Sequence, residues 1–542
     1  MSKNTKIILG ILIGFFVAAA LSLGGLFVYW QYFLKPTPKT DLTELQKVNI
    51  ASIEPVGIYP EPFGETGEVT TIELNSNIFE PLVTLDNNFK LKPVLAESWT
   101  NPDDLTWKIY LKKGIKFHNG DDFSADDVKA SFEAAKKDEW VSASEISPIN
   151  EIKIIDNYTL ELKTAEPYPI LLNKLSGVFV LPKKIIESGD FKKNIGTGSY
   201  KFISYEQGKN MILERNDNYW GEKPKVQKID YKFYTEDKQV TEWFSNGDVD
   251  LTDELKPTEE TVNLKNKQGI KYAPVDDYYV YDMIFNLAPD NSPYVVGGGN
   301  PFKDKRVREA IYRGINVDEV IKESEYGLAK PQSQTIPKVT FGYNPNIKRL
   351  EYSPEKAKEL LGEAGYPNGF TFKTDVPTYR QASAEAIAKQ LAKVGVTTQV
   401  NAMDDPSTGL ERMYKGDFTC FILGIGSASG DASDVTDTLI HSNGTDNFGK
   451  YSNPEIDALI EQTQKTLDQG KRRKLFEQIL EKYSNDMPVI PLWSSTFTYF
   501  AKKDIDVKWD RTGVVKGQDV AGIKEIQEKP SFAQFTKGLI GL

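Results

Sequence analysis

Helix-period and strand-period patterns alternate along this chain for hundreds of residues, behind one long apolar run at its start. Together they predict an α/β or mixed α+β body carrying a single N-terminal transmembrane helix. The bulk composition agrees. Over 542 residues, 39% are hydrophobic and 26% charged, so there is apolar material for a large buried core and enough charge for a soluble surface.

The first element is the run Ile7 to Trp30, which contains no charged residue. A helix of its roughly 24 residues would rise about 36 Å, enough to cross the hydrocarbon core of a bilayer. Lys3 and Lys6 precede it, Trp30, Tyr32 and Phe33 close it as an interfacial aromatic belt, and Lys35, Pro36 and Pro38 end it. A cleaved signal peptide has a shorter apolar region, although Ala18-Ala19-Ala20 supplies small residues at a conceivable cleavage point. A lipid anchor would need a cysteine just after the run, and none stands there. The reading is an uncleaved signal anchor over 1–34, followed by a polar linker over 35–50.

Several helices follow from their start signals. Ser124 with Asp127 forms a capping box ahead of Val128, Phe132 and Ala135. Ser353-Pro354 opens a helix that should stop at Gly365, and Asn453-Pro454 opens another. Ala382 to Lys393 reads as a helix stopped near Gly395, and Leu475, Phe476, Ile479, Leu480 and Tyr483 form a further apolar stripe. Strand candidates are Trp107–Leu111, Ile152–Ile155, Thr159–Leu162, Met211–Glu214, Asp230–Tyr234, Tyr278–Phe285, Thr397–Val400 and Phe418–Leu423.

A net charge of -11 argues against a nucleic-acid partner, which needs a basic surface. The single cysteine, Cys420, lies in an apolar stretch and reads as a core thiol; it excludes an internal disulfide and a cysteine metal cluster. Only His118 and His441 could serve a histidine-dependent site, so no metal and no cofactor is expected. Gly196-Thr197-Gly198-Ser199 lacks the lysine of a phosphate loop, and Gly297-Gly298-Gly299 runs into Asn300-Pro301 as a turn. Gly424-Ile425-Gly426 is the nearest lookalike of a dinucleotide fingerprint, without the third glycine or the following helix. Ser429-Gly430 near His441 matches no nucleophile arrangement. The chain therefore reads as a binding protein and not an enzyme.

Five blocks of residues then carry a resemblance. They are Asn77-Ile78-Phe79-Glu80-Pro81-Leu82-Val83 with Leu95 to Trp99, Trp107 to Leu111, Phe117-His118-Asn119-Gly120 and Ala125-Asp126-Asp127-Val128; Gly196 to Tyr200 with Asn216 to Trp220; Asn286 with Pro301 to Ile311; Tyr352 to Tyr366 with Asn368-Gly369; and Tyr451 to Pro454 with Met487 to Leu492. In this order they resemble the family 5 solute-binding proteins of ABC importers, the oligopeptide, dipeptide and nickel type, from about residue 75 to about residue 500. The resemblance implies a periplasmic-binding-protein-like type II fold of two lobes joined by two crossover strands. The first lobe would take 51–275 with an inserted subdomain at about 81–195, the second 276–486, and 487–542 would return to the first lobe and form the tail.

It also implies a ligand buried between the lobes. In similar peptide binders a tryptophan, then an aspartate three residues on, meets the peptide amine; the matching positions here are Ala428 and Asp431. Arg380, with Tyr379, falls where some relatives bind a carboxylate, a task that suits the guanidinium fork. Asn286 lies in a family block, and Trp493 follows another at a crossover. Strand alternation puts Tyr279 and Tyr281 on one face and Tyr278 on the other. The expected activity is capture of a peptide or similar small solute outside the cytoplasm, at the cell surface or in the periplasm. The expected partners are permease subunits with their ATPase, and the protein itself is expected to be a monomer. A peptide sensor uncoupled from import, a metal-chelate binder and a secreted hydrolase are the rival readings.

Overall fold

The computed structural model describes residues 39–53, 74–137, 140, 142–253, 255, 258–509 and 515–526. The apolar run Ile7 to Trp30 lies outside the described residues; among those described, no helix is long and apolar enough to cross a membrane. The chain divides into two compact units. In the first, residues 1–43 with 522–542, the described segments pair as antiparallel strands, Lys39 opposite Ile526 and Thr43 opposite Gly522.

The second unit, residues 44–521, is built on a mixed sheet. Its strands include β1 (Val48–Ile53), β2 (Lys228–Tyr234), β3 (Leu251–Thr252), β4 (Ile270–Asp276), β5 (Tyr279–Phe285), β6 (Phe370–Pro377), β7 (Val396–Met403), β8 (Cys420–Gly426) and β9 (Val489–Lys502). They run in the order β2-β1-β3-β9-β5-β8-β6-β7, with β4 also on β9. The neighbours β1 and β2 are parallel, as are β6 and β7, whereas β9 runs antiparallel to both β4 and β5.

One strand joins the two halves of this sheet. At its start β9 pairs with β5, Ile284 opposite Val489 and Tyr281 opposite Trp493. At its end it pairs with β4, Asp276 opposite Thr496 and Ile270 opposite Lys502. Every residue from Val489 to Ala501 is buried. Strands covered on both faces lose the alternating pattern, which is why Ser494-Ser495-Thr496 inside this strand gave no strand signal in the sequence.

Two apolar cores lie along that path. Val48, Ile50, Tyr231, Leu251, Phe497 and Tyr499 belong to one; Phe285, Phe302, Ile311, Phe372, Ile422 and Trp493 belong to the other. A third core draws on residues 82–180, around a four-stranded antiparallel sheet in which Thr106–Leu111 and Thr159–Thr164 are the central strands.

The helix starts read from sequence appear in place. Helices span Ala125–Lys137, Pro354–Glu363, Gln381–Ala392, Pro454–Lys465 and Gln469–Asp486. At the first, the Ser124 amide and hydroxyl both donate to Asp127, at 2.9 and 3.1 Å. Cys420 is fully buried in β8. The linker expected over 35–50 is corrected: Lys39–Thr43 is a strand, and Val48 and Ile50 at the start of β1 are wholly buried. Short apolar alternation among polar residues was read there as tether because no turn signal bounded it.

His118 acts as a clamp. Its amide donates to the Gly196 carbonyl at 2.9 Å, its Nδ1 accepts from the Gly196 amide at 3.3 Å, and its Nε2 lies 2.9 Å from the Gly198 carbonyl. That pattern assigns the neutral ring with the proton on Nε2. Burial lowers its pKa from 6.5 to about 4. The unfolded chain therefore takes up a proton that the folded chain refuses as pH falls from the ordinary histidine range. Stability from this group is complete above that range and lost on the way down. Between about pH 7 and about pH 4.5 the wild type should lose about 2 kcal/mol more stability in urea unfolding than a His118→Gln variant does. Equal losses would remove His118 from the pH response.

Candidate functional site

β5 and β8 pair antiparallel, with Tyr279 opposite Gly426 and Tyr281 opposite Gly424. The two tyrosine rings lie over the two glycines. A Cβ on Gly426 would stand 2.6 Å from the Tyr279 ring, and one on Gly424 3.2 Å from the Tyr281 ring. The Gly-Ile-Gly stretch that superficially resembles a nucleotide loop is thus a pair of seats for aromatic rings on a strand. Leu423 to Gly426 and both tyrosines remain half-buried, so this part of the sheet is accessible to solvent.

The aromatic surface extends on both sides. Tyr281 stacks on Trp493 with centroids 5.8 Å apart and planes at 20°. Tyr278, just before β5, packs against Phe497, and its ring meets that of Tyr279 with centroids 4.7 Å apart, so the separation of faces expected from alternation does not extend to it. Burial holds the Tyr281 phenol protonated, above its ordinary range.

The charged residues nominated by sequence are engaged elsewhere. Asp431 is buried and receives a bidentate pair from Arg472, Nη1 to Oδ2 at 2.5 Å and Nη2 to Oδ1 at 2.8 Å. Its Oδ1 also accepts from the Ser433 amide and hydroxyl. In this arrangement a ligand amine, as expected for Asp431, would compete with a fitted guanidinium. Arg380 ends a short 3₁₀ turn, Thr378–Arg380, and its Nη1 donates to Glu325 at 2.5 Å and its Nη2 to Ser495 at 2.8 Å. The guanidinium carbon lies 4.1 Å from the centre of the Tyr281 ring. Burial opposes its charge, but Tyr281 and Glu325 more than restore it, so Arg380 is a fixed cation already paired. A ligand carboxylate would compete with Glu325.

The other nominees divide. The Asn286 Nδ2 donates to the carbonyls of Gly416 and Phe418, and its Oδ1 accepts from the Ala288 amide, so it pins a turn inside its own core. Trp493 has no exposed surface and supports Tyr281 from behind, where a cleft-lining ring was expected. Tyr379 is 54% exposed beside Arg380. Tyr279 and Tyr281 share the open face.

Residues from 83 to 175 reach the loop after β8. Phe89 sits at φ 55°, a backbone region that bulky side chains rarely enter, in a turn held by Asp86, whose Oδ1 accepts from the amides of Asn88 and Lys90. The Phe89 ring lies edge-on to Tyr278, centroids 6.5 Å apart, and covers Gly430 so closely that a Cβ there would come within 2.2 Å. Asn173 donates to the Ser429 carbonyl at 2.8 Å, and Lys174 pairs with Asp434 at 2.9 Å. Sequence reasoning missed Phe89, Asn173, Lys174, Arg472 and Glu325, because each acts on a partner tens to hundreds of residues away. The spacing of Tyr279 and Tyr281 against Gly424 and Gly426, two apart on each strand, was the one readable clue.

Replacing Asp431 by Asn leaves the Arg472 guanidinium buried without its counter-charge. The ligand-free protein should lose about 3–5 kcal/mol in urea unfolding; a loss below about 1 kcal/mol would show that the pair does not hold this loop.

Residues 90–447 match the family described as bacterial extracellular solute-binding proteins, family 5 Middle. The glutathione-binding protein GsiB of Escherichia coli (strain K12) is 28% identical over 443 residues, 77% of this chain and 83% of that protein. Among solved structures, Helicobacter pylori DppA in complex with the peptide STSA is similar at TM-score 0.71 and 24% identity, covering 88% of this chain and 98% of that one. Brucella suis NikA in complex with Fe(III)-EDTA is similar at TM-score 0.78 and 21% identity, covering 88% and 99%. Among the described residues, no cluster of three or more histidine, cysteine or acidic side chains is placed to hold a metal ion. The match spans well over half of the sequence and agrees with the paired crossing of the sheet: the chain belongs to the family 5 bacterial extracellular solute-binding proteins.

Proposed function

We propose that this protein is the extracytoplasmic substrate-binding component of an ABC importer and captures a peptide or similar small solute by closure of two lobes. The observation that carries this reading is the double crossing at β9. The chain passes twice through one narrow boundary, Asp276 to Tyr279 and Trp493 to Thr496, and the residues on either side belong to different cores. Two bodies joined by two adjacent strands can hinge there, and a ligand touching both favours the closed form.

In this reading one lobe is 51–275, with its insertion at about 81–195, together with the returning 487–542; the other is 276–486. The capture surface is Tyr279, Tyr281 and Tyr379, with Phe89 arriving from the insertion. Arg380, Asp431 and Trp493 support that surface, and Asn286, at the far end of β5, supports the strand that carries it. The Ile7 to Trp30 run would keep the protein at the membrane surface as an uncleaved anchor. The names of the relatives, one for glutathione binding and one solved with a four-residue peptide, support a small peptide as cargo.

The test is to purify the full chain in detergent, release what it carries, and identify it by mass spectrometry. Intact short peptides are the expected result; hydrolysed products would sink the binding-protein reading. Tyr279→Ala should weaken the recovered ligand about five- to tenfold, as loss of one stacked ring predicts, and an unchanged Kd would move the site elsewhere.

Closure has its own test. Lys174→Glu sets two acids face to face at Asp434, so small-angle scattering of the ligand-free variant should show a larger radius of gyration. Adding Asp434→Lys should reverse the change. No change in either variant would remove this pair from closure.

A further inference from the structure

Several charges around the aromatic platform are paired within the protein. Asp431 is met by Arg472 and Arg380 by Glu325. Asp434 is met by Lys174, and its second oxygen accepts from the Ser429 amide at 2.7 Å. At the crossover itself, Lys330 pairs with Asp276. Asp277, next to it, turns one oxygen back to accept the Tyr279 amide at 3.1 Å. The first three pairs join separate segments, and in two of them the side chains are nearly free of solvent: Arg472 and Asp431 are 2% and 5% exposed, Arg380 and Glu325 8% and 2%. Breaking one such pair to admit a ligand charge would leave the displaced partner buried and uncompensated.

What the platform does offer is different. The rings of Tyr279 and Tyr281 lie flat because Gly426 and Gly424 have no side chain to lift them. Phe89 is held in a strained backbone conformation with its ring against Gly430 and Tyr278. Phe89, from a distant segment of the chain, fills the space beside Gly430, two residues on from the small Ala428. The surface is therefore aromatic and paired in charge, suited to planar groups and to peptide or hydroxyl groups that accept hydrogen bonds, with no unpaired acid of this set for a free α-amine.

We propose that the part of the solute buried on this platform is uncharged and ring-bearing. This rests on the reading above that the protein captures a peptide-like solute between its lobes. It adds that the solute is gripped through its neutral interior, its charged ends being blocked or lying outside the platform. Gly424 and Gly426 are then positioning residues, since they set the level at which the tyrosine rings meet the solute.

The experiment is calorimetric titration of the full chain, purified in detergent and stripped of carried ligand, with three probes. These are the tripeptide Ala-Tyr-Ala with free ends, the same peptide acetylated and amidated, and maltotriose as a neutral ring-bearing solute without peptide groups. The expected result is that the capped peptide binds at least as tightly as the free one. Raising NaCl from about 20 mM to about 500 mM should then change its Kd less than about threefold, since no charge contact is screened. A free peptide binding about tenfold or more tightly than the capped one overturns the inference and leaves peptide capture standing. Binding of maltotriose alone keeps the inference and removes the peptide reading. Binding of none of the three overturns the inference. Gly426→Ala supplies a second check: it should weaken the capped peptide while leaving the urea midpoint of the ligand-free protein within the range of ordinary surface variants, and an unchanged Kd counts against the glycine seat.

Discussion

The buried strand Val489–Lys502 is the constraint on which the rest of the second unit depends. It is hydrogen-bonded to β5 over its first residues and to β4 over its last, so two separate cores share one continuous ladder. A break in it would unpair both β4 and β5 and expose backbone groups that have no water to satisfy them. Its crossing partner, the Asp276–Tyr279 connection, sits at the same level, which confines any relative movement of the two cores to a few residues. Such a joint resists translation and permits rotation, the motion a capture protein needs.

The aromatic surface proposed to receive the solute is built at the edge of that joint by subtraction. β8 gives up two side chains, at Gly424 and Gly426, and the neighbouring strand fills the space with two tyrosine rings. Trp493, on β9, braces Tyr281 from behind, and Arg380 lies over the same ring. The platform is thus continuous with the crossover: rotation at the joint and the position of the rings are governed by the same strands. Charges nearby are drawn into ion pairs that tie loops to helices, as Asp431 does with Arg472. Burial makes those pairs costly to open.

Much of the frame was legible in the sequence, for local reasons. Ser124, Ser353 and Asn453 announce helices because capping is satisfied within a few residues. Tyr279 and Tyr281 share a face because a strand repeats every two residues. His118 stands in a motif readable from consecutive residues, and its bonds to Gly196 and Gly198 give it a structural part. By contrast β9 was passed over because burial on both faces erases alternation, and the start of β1 was taken for linker. Asp431, Arg380 and Asn286 were selected as ligand contacts because residue type and position fitted, yet each is also engaged by a distant partner, 41, 55 and 130 residues away.

The sequence by itself determined the class of fold, the order of its segments, the family and the absence of a recognisable catalytic set, since these rest on periodicity, capping and short motifs written in consecutive residues. Only the tertiary structure decided which side chains are left to meet a solute. Availability is a property of what else stands within a few ångströms. Arg472, Glu325 and Lys174 arrive beside Asp431, Arg380 and Asp434 through the folding of distant segments, and that meeting turned the nominated ligand charges into ion pairs and left an aromatic surface in their place.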